Sequence, residues 1–298
     1  MLLHTPEVFH LGTSLRSTAR LTGTTVDESM RLEASIDRQL NGSVEPFVPP
    51  AVVIATVHGE AELVIEGDVS EVLLAGARAA AEYFAMHLGR RPVELVASTR
   101  PPAPVVTSLQ QTGIFFSRGI DSTSNLILAD RGQIDPRPDL AIVIEGIEPA
   151  NSSEVEAAVN AKTVEVARDF GLDTVVVSTN LRLVMDCHIE WINAFGSVLA
   201  GVGLFLAPGL SDAIISSAEG SQQRFSGSHP QIDPLWSDGN LRFHHLPVDV
   251  ERSERVRLVV EDARAMEFLR VCVRGGPENC GRCDKCLQTA VLISAFGG

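Results

Sequence analysis

From Gly113 onward, short apolar runs alternate with longer helical stretches, and this alternation constrains the fold more than any other feature of the chain. Residues 113–116 form a short apolar strand candidate followed by a glycine-containing turn, and residues 122–129 can form a helix. Residues 139–144 (DLAIVI) read as a buried strand. Residues 151–170 read as a helix with Asn or Ser at its start and Gly171 as its C-cap. Residues 174–177 are a β-branched strand, 188–202 an apolar helix and 213–216 another short strand. Residues 253–268 are expected to be helical and 269–273 extended. Strands separated by helices imply an α/β fold, a parallel sheet with helices on both faces.

The first hundred residues follow a different pattern. Residues 1–48 are polar and mixed, consistent with short strands or irregular chain. Residues 51–57 are β-branched and read as a strand. A second strand, 63–65, ends at a Glu66-Gly67 turn, and Asp68 stands three residues before Glu71, the spacing of a capping box. An Ala- and Leu-rich helix runs from near Ser70 to Gly89, and 92–98 is another strand candidate. Residues 99–104 (TRPPAP) carry three prolines and make the best linker in the chain. The chain of 298 residues is therefore expected to hold a smaller α+β domain over 1–104 and a larger α/β domain over 105–298.

Charge narrows the partners. Lys and Arg number 24 against 38 Asp and Glu, a net charge of −14. Such a surface repels phosphate backbones, which disfavours general nucleic-acid binding and a tRNA-modifying role but not binding of a small nucleotide. The lysines are Lys162 and Lys285, so arginine carries most of the cationic work. No uncharged apolar run approaches the roughly 18 residues of a membrane span. The opening MLLHTPEVFHLG lacks a basic n-region and a long h-region, so a cytoplasmic protein is expected.

Two segments carry readable chemistry. In the first, residues 114–124 (IFFSRGIDSTS), a strand runs into a small-residue turn and then a helix. That geometry aims backbone N–H groups and the helix dipole at an anion. Ser117, Ser122 and Thr123 add hydroxyl donors, and Gly119 lets the backbone approach a phosphate closely. Asp121 fits there as a magnesium ligand or a helix cap. The segment is neither GxxxxGK[ST] nor GxGxxG.

In the second segment, Cys272, Cys280, Cys283 and Cys286 crowd into fifteen residues with the spacing C-x7-C-x2-C-x2-C. Crowding of this kind in a cytoplasmic protein favours a metal over disulfides. Four thiolates suit a tetrahedral zinc at about 2.3 Å each. An iron–sulfur cluster is the alternative. Gly275-Gly276-Pro277 gives the chain room to turn back, and Arg282 and Lys285 offset thiolate charge. A closed four-cysteine site leaves no open coordination position, so its expected role is structural.

Ser117-Arg118-Gly119-Ile120-Asp121-Ser122 resembles the SGGxDS loop of the PP-loop ATP pyrophosphatases, with Arg118 in place of the first glycine. Combined with the four-cysteine site near the end of the same unit, the chain is similar to the 7-cyano-7-deazaguanine synthase group over roughly residues 112–290, and not over the first hundred. The resemblance implies an adenine nucleotide alpha hydrolase-like sheet and the use of ATP with Mg2+. It also implies cleavage between the α- and β-phosphates, transfer of AMP to a substrate oxygen and release of pyrophosphate. Enzymes of that group activate a deazapurine carboxylate and add ammonia, giving an amide and then a nitrile. Ser117, Arg118, Gly119, Ile120, Asp121 and Ser122 are then the nucleotide-binding residues, with Arg118 lending a cation to the phosphates.

Ligands of open parallel sheets bind beyond the carboxyl ends of the strands. That rule selects Glu145 and Gly146 beside the adenine, Thr179 and Asn180 in the next loop, and Arg182 as a clamp for phosphate or carboxylate. Residues 227–237 mix polar side chains, two prolines and a Trp. Within them Ser228, His229 and Asp233 are candidates to bind substrate or shuttle a proton. His244 and His245, adjacent on a strand, point to opposite faces and so are expected not to share a metal, one being exposed and one packed.

The expected activity is ATP-dependent, AMP-forming and carbon–nitrogen bond forming, on a small-molecule carboxylate or carbonyl oxygen with ammonia or an amine as nucleophile. Catalysis would be positioning and charge neutralisation by Asp121, Arg118, Arg182 and the loop N–H groups. Residue 2 is Leu2, so no N-terminal glutaminase nucleophile is expected and ammonia would arrive free or from a partner. A sulfur-inserting enzyme is the first alternative, with Cys187 near the start of a helix as sulfur carrier. A non-catalytic nucleotide-binding protein with a degenerate loop is the second. A homodimer is compatible with a chain of this size.

Overall fold

The computed structural model describes residues 1–35, 37–101, 110–148, 152–217 and 225–298. The first hundred residues comprise β1 (Leu2–Leu3), β2 (Glu7–Leu11), β3 (Ser14–Thr22), β4 (Asp27–Ser35), α1 (Val48–His58), β5 (Glu62–Ser70), α2 (Glu71–Leu88) and β6 (Glu94–Arg100). The remainder comprises β7 (Gln111–Phe115), α3 (Ile120–Asp130), β8 (Leu140–Glu145), α4 (Ser153–Asp169), β9 (Asp173–Thr179), α5 (Leu181–Asp186), α6 (Phe195–Leu206), β10 (Leu210–Ser216), β11 (Arg242–Leu246), α7 (Arg252–Val260), α8 (Ala263–Phe268) and α9 (Asp284–Ala295). The chain is α/β, with a large, mostly parallel sheet flanked by helices.

The sheet has eleven strands in the order β11-β10-β7-β8-β9-β4-β3-β1-β5-β6, with β2 paired to β3 off that path. Strands β9, β8, β7, β10 and β11 are all parallel. Ranked by their order in the chain they run 3-2-1-4-5, so the connections leave in opposite directions between β7 and β10. A crevice opens at the carboxyl ends of the strands at such a reversal. On one face α1, α2 and α6 bury a large core, and on the other α3, α7 and α8 bury a second.

The first hundred residues extend this sheet. β4 pairs antiparallel with β9 through Leu32–Thr179, Glu33–Ser178 and Ala34–Val177. Leu32, Ala34 and Val177 are fully or almost fully buried in the core that also takes in α1 and α2. Of the proline-rich segment, residues 102–104 lie outside the described residues.

Several expected elements differ. Residues 51–57 belong to α1, not to a strand. Val48 to Thr56 are buried all round, so the helix needs no polar face, and Pro49 and Pro50 sit in its first turn where their missing N–H groups have no helical partner. β5 runs past Gly67 to Ser70, with a register shift between Ile65 and Asp68, so Asp68 is a strand residue and no capping box forms. Ser70 caps α2 with no side-chain bond to it, because its hydroxyl donates to the Asp238 carbonyl. The helix expected over 188–202 begins only at Phe195. Its first turn packs against the 225–228 loop so closely that a Cβ on Gly196 would lie 2.0 Å from the Gly227 carbonyl oxygen. The helix expected over 253–268 breaks into α7 and α8, where the Asp262 carboxylate caps the second piece by accepting from the Ala265 N–H. Among the described residues no helix is long and apolar enough to cross a membrane.

Candidate functional site

Phe116, Ser117, Arg118 and Gly119 link β7 to α3 at the sheet's reversal point. The left-handed turn there is made by Arg118, at φ 60°, while Gly119 has an ordinary φ of −73°. The glycine requirement of this loop therefore falls at the position that Arg118 occupies, at a conformational cost of about 1 kcal/mol. The Arg118 side chain is only 5% exposed and turns toward α4, donating from Nε to Thr163 Oγ1 at 3.1 Å. Its Nη2 has no hydrogen-bond partner among the described residues. Burial, and then the nearby Arg270 charge, hold its pKa below the usual arginine value.

Around the turn the hydroxyls organise the backbone. The Ser117 N–H donates to Ser122 Oγ at 3.3 Å, and the Gly119 N–H to Ser117 Oγ at 3.4 Å. No side chain caps α3, so its first-turn N–H groups face outward, the arrangement that attracts anions. Ile120 is not exposed to a ligand and packs in the core beneath α3.

Asp121 is already neutralised. Arg252 Nη1 donates to its two oxygens at 3.1 and 3.2 Å, and Arg255 Nη1 to Oδ1 at 3.2 Å. Arg255 is fully buried and also donates to the Ser217 carbonyl. With guanidinium groups on its carboxylate, Asp121 does not fit the role of a magnesium ligand. Sequence reasoning missed both arginines, because only the packing of α7 against α3 brings them to Asp121.

Beside the loop lies a cleft of about 330 Å3 at the carboxyl ends of β7, β8 and β10. Ser117, Asp121, Ser122 and Ser216 line its polar end, Phe115, Ile142 and Ile144 its floor, Glu156, Asn160 and Thr163 one wall and Trp191 and Phe195 the other. Asn160 Nδ2 is buried there without a hydrogen-bond partner among the described residues. The Glu156 carboxylate accepts from the Gly146 N–H at 2.6 Å; burial first, then Glu145 and Glu148, push its pKa up. A second cavity of about 330 Å3, lined by Arg137, Asp139 and Phe170 among others, sits at the opposite ends of the strands and has no such loop.

The strand-end candidates divide. Glu148 and Ile147 line the cleft, whereas Glu145 and Gly146 stand just behind them. Gly146 has φ 95°, and a Cβ there would lie 1.9 Å from the Thr179 carbonyl oxygen, so its role is to let β8 pass close to β9. Thr179 and Asn180 are spent on structure. Thr179 Oγ1 donates to the Arg31 carbonyl at 2.6 Å, Asn180 Oδ1 accepts from the Arg31 N–H at 2.7 Å, and Asn180 Nδ2 donates to the Ser29 carbonyl at 2.7 Å. Their polar groups satisfy the backbone of β4, not a nucleotide. Arg182 is likewise committed: Nε donates to Asp186 at 2.7 Å and the guanidinium lies 4.1 Å from the Trp191 ring centre, so it positions the tryptophan wall of the cleft.

Ser228 and Asp233 meet, and His245 joins them. Asp233 Oδ2 accepts from Ser228 Oγ at 2.6 Å and pairs with His245 Nδ1 at 2.7 Å, all three groups being buried. This network ties the 225–236 loop to β11. His229 turns away from it and lies against Tyr83, ring centres 5.7 Å apart. His244 and His245 point to opposite faces of β11, His244 pairing with Asp212 at 2.7 Å.

The four cysteines converge. Their sulfur atoms all lie within 4.8 Å of one another, and Cys272, Cys283 and Cys286 are buried, so the set could hold a metal ion. Backbone N–H groups of Val273 and Cys286 hold the Cys283 thiol down at about 6, whereas burial pushes Cys286 up to about 11. The segment is docked on the β7–α3 loop through buried Arg270. Its N–H donates to the Arg118 carbonyl at 3.1 Å, and its guanidinium grips Glu148 at 2.6 and 2.7 Å and the Gly276 carbonyl at 2.9 Å. Lys285, two residues beyond Cys283, lines the cleft.

Cys187 does not belong to this assembly. It caps the C-terminal end of α5, not the start of a helix, and its thiol donates to the Leu183 carbonyl at 3.3 Å. The chain matches no family model, no curated protein and no solved structure.

Proposed function

We propose that the protein is an ATP-dependent, AMP-forming enzyme of the PP-loop type that adenylates a small-molecule carboxylate or carbonyl oxygen and passes the activated carbon to ammonia or an amine. One observation carries the reading. The loop resembling SGGxDS lies at the reversal point of a 3-2-1-4-5 parallel sheet, and its Ser117, Asp121 and Ser122 line the cleft there. A reversal point of this kind is where open parallel sheets bind their ligands.

In this reading the first-turn N–H groups of α3 and the hydroxyls of Ser117 and Ser122 hold the phosphates. Arg252, held in place by Asp121 and 35% exposed, adds a cation at the same end. The apolar floor formed by Phe115, Ile142 and Ile144 takes the adenine, and the Trp191–Phe195 wall holds the second substrate. The substrate oxygen attacks the α-phosphorus, and the α–β bridging bond breaks with release of pyrophosphate. The nitrogen lone pair then forms a bond to the activated carbon, the bond from that carbon to AMP breaks, and the proton lost by nitrogen goes to solvent or to Glu156, whose raised pKa suits it to accept one. Magnesium enters as part of MgATP, shielding the pyrophosphate charge. The protein's contribution is positioning and charge neutralisation in a partly apolar cleft.

The four-cysteine set is proposed to hold zinc. A tetrahedral zinc at about 2.3 Å from each sulfur sets the sulfurs about 3.8 Å apart, a small contraction of the cluster. Cys187 is not among the residues that line the cleft, so the nitrogen nucleophile is preferred over sulfur insertion. The test is the product profile. Purified protein is incubated with ATP, Mg2+, ammonium and a pool of small carboxylates that includes a deazapurine carboxylate. Substrate-dependent AMP and pyrophosphate are expected. ADP and phosphate would overturn the reading, and ATP binding without turnover under every carboxylate would favour a nucleotide-binding protein.

A further inference from the structure

Among the described residues Lys285 has no carboxylate partner, although the protein carries a net charge of −14. The other lysine, Lys162, is paired with Glu165 at 2.7 Å. Lys285 instead lines the cleft that contains Ser117, Asp121 and Ser122. Its backbone is fixed from both sides. Cys283 is the N-cap residue of α9 and Cys286 lies in its first turn, both sulfurs buried in the four-cysteine set. The Cys283 N–H donates to Cys280 Sγ at 3.3 Å, and the Leu287 N–H to the Cys283 carbonyl at 2.9 Å. Arg270 then fastens the whole segment to the phosphate loop.

A flexible lysine normally loses much of its electrostatic gain to the entropy of ordering. Here the four-cysteine set fixes the backbone of the turn that bears it, so only the side-chain rotamers remain to be ordered. We infer that Lys285 is an anion-binding residue of the cleft, contacting the polyphosphate of the bound nucleotide, and that the four-cysteine site serves as its mount. The inference rests on the ATP reading above and adds a residue and a purpose for the metal site to it. Arg118, the cation expected for this duty, points into α4.

The cleft reports its own occupancy. Trp191 lines it, whereas Trp236 is fully buried elsewhere, so a change in tryptophan fluorescence reads ligand at Trp191. The experiment titrates MgATP, and separately inorganic pyrophosphate, into the full-length wild type, Lys285→Gln, Lys285→Arg and the exchanged pair Asp284→Lys/Lys285→Asp. Binding is followed by calorimetry and fluorescence, and metal content by elemental analysis. Loss of one charge-assisted contact is expected to weaken both ligands about tenfold in Lys285→Gln at unchanged metal content. Lys285→Arg should bind within about threefold of wild type. The exchanged pair keeps the charge but moves it around the helix, and should bind as weakly as Lys285→Gln. Equal binding by wild type and Lys285→Gln overturns the inference and leaves the ATP reading standing. A loss for ATP without a loss for pyrophosphate overturns the assignment to the polyphosphate. Wild type that binds neither ligand overturns both.

Discussion

The N–H of Arg270 donates to the carbonyl of Arg118 at 3.1 Å, so the segment leading to the four cysteines is hydrogen-bonded to the β7–α3 loop. The two most informative segments of the sequence, about 150 residues apart, are therefore neighbours through one backbone contact. Arg270 reinforces it with a buried guanidinium shared between Glu148 and Gly276.

Removing that guanidinium should loosen both segments. Arg270→Met is expected to cost about 2 kcal/mol, since it removes the guanidinium bonds to Glu148 and to the Gly276 carbonyl. Glu148→Gln, at a more exposed position, should cost less. Urea unfolding of both variants checks the order, and an unchanged midpoint for Arg270→Met would mean that the contact is idle.

The four-cysteine set should copurify with about one metal ion per chain, and Cys283→Ser should lose it. A tightly bound ion stabilises the folded state by mass action, so stripping it with a chelator should lower Tm by about 5 °C or more. Elemental analysis and thermal scans with and without added zinc test this.

His58 joins α1 to the first strands and to the segment after α5. Its Nε2 lies 3.0 Å from His188 Nδ1, and His188 Nε2 lies 3.1 Å from Glu28. Burial, then the neighbouring His188, holds the His58 pKa below its usual 6.5. The folded state therefore binds fewer protons than the unfolded chain below that value, and stability should fall as pH drops from about 6.5 toward the lower folded pKa. His58→Gln should flatten that part of the stability profile, which denaturation between pH 7 and 5 would reveal.

Gly146→Ala should be among the most damaging single-methyl changes. It meets both a φ of 95° and a carbonyl oxygen 1.9 Å from the new Cβ. The expected cost is about 3 kcal/mol, measurable by urea unfolding.

Asp121→Asn keeps a hydrogen-bond acceptor for Arg252 but removes the charge that holds it. If the protein forms AMP as proposed, that rate is expected to fall about 100-fold, with a smaller loss of stability from the buried Arg255. Rates corrected for the folded fraction separate the two effects.

Much of the α/β half was legible because its signals are local. Apolar runs of strand length, Gly171 beyond α4 and the cysteine spacing each involve neighbours in sequence. Residues 51–57 misled because β-branched residues buried on every side of α1 satisfy a helix as well as a strand. Thr179 and Asn180 had the right chemistry for a ligand, but β4 arrived to take their hydrogen bonds, and nothing in either segment announces that pairing. Arg252 and Arg255 were hidden for the same reason. Only the packing of α7 against α3 brings them to Asp121. Arg118 shows the complementary case: its identity suggested a phosphate cation, whereas its backbone took the left-handed turn and its side chain went into α4.

The antiparallel seam between β4 and β9 has a consequence for how the molecule can be taken apart. Cutting the chain between Pro101 and Gln110 would leave two polypeptides, each ending at an open strand edge with buried apolar residues such as Leu32 or Val177 newly exposed. Either alone would be prone to aggregate through that edge. Produced together they can anneal along the same seam, so this architecture lends itself to fragment complementation, with recovery of the cleft as the signal that the halves have found each other.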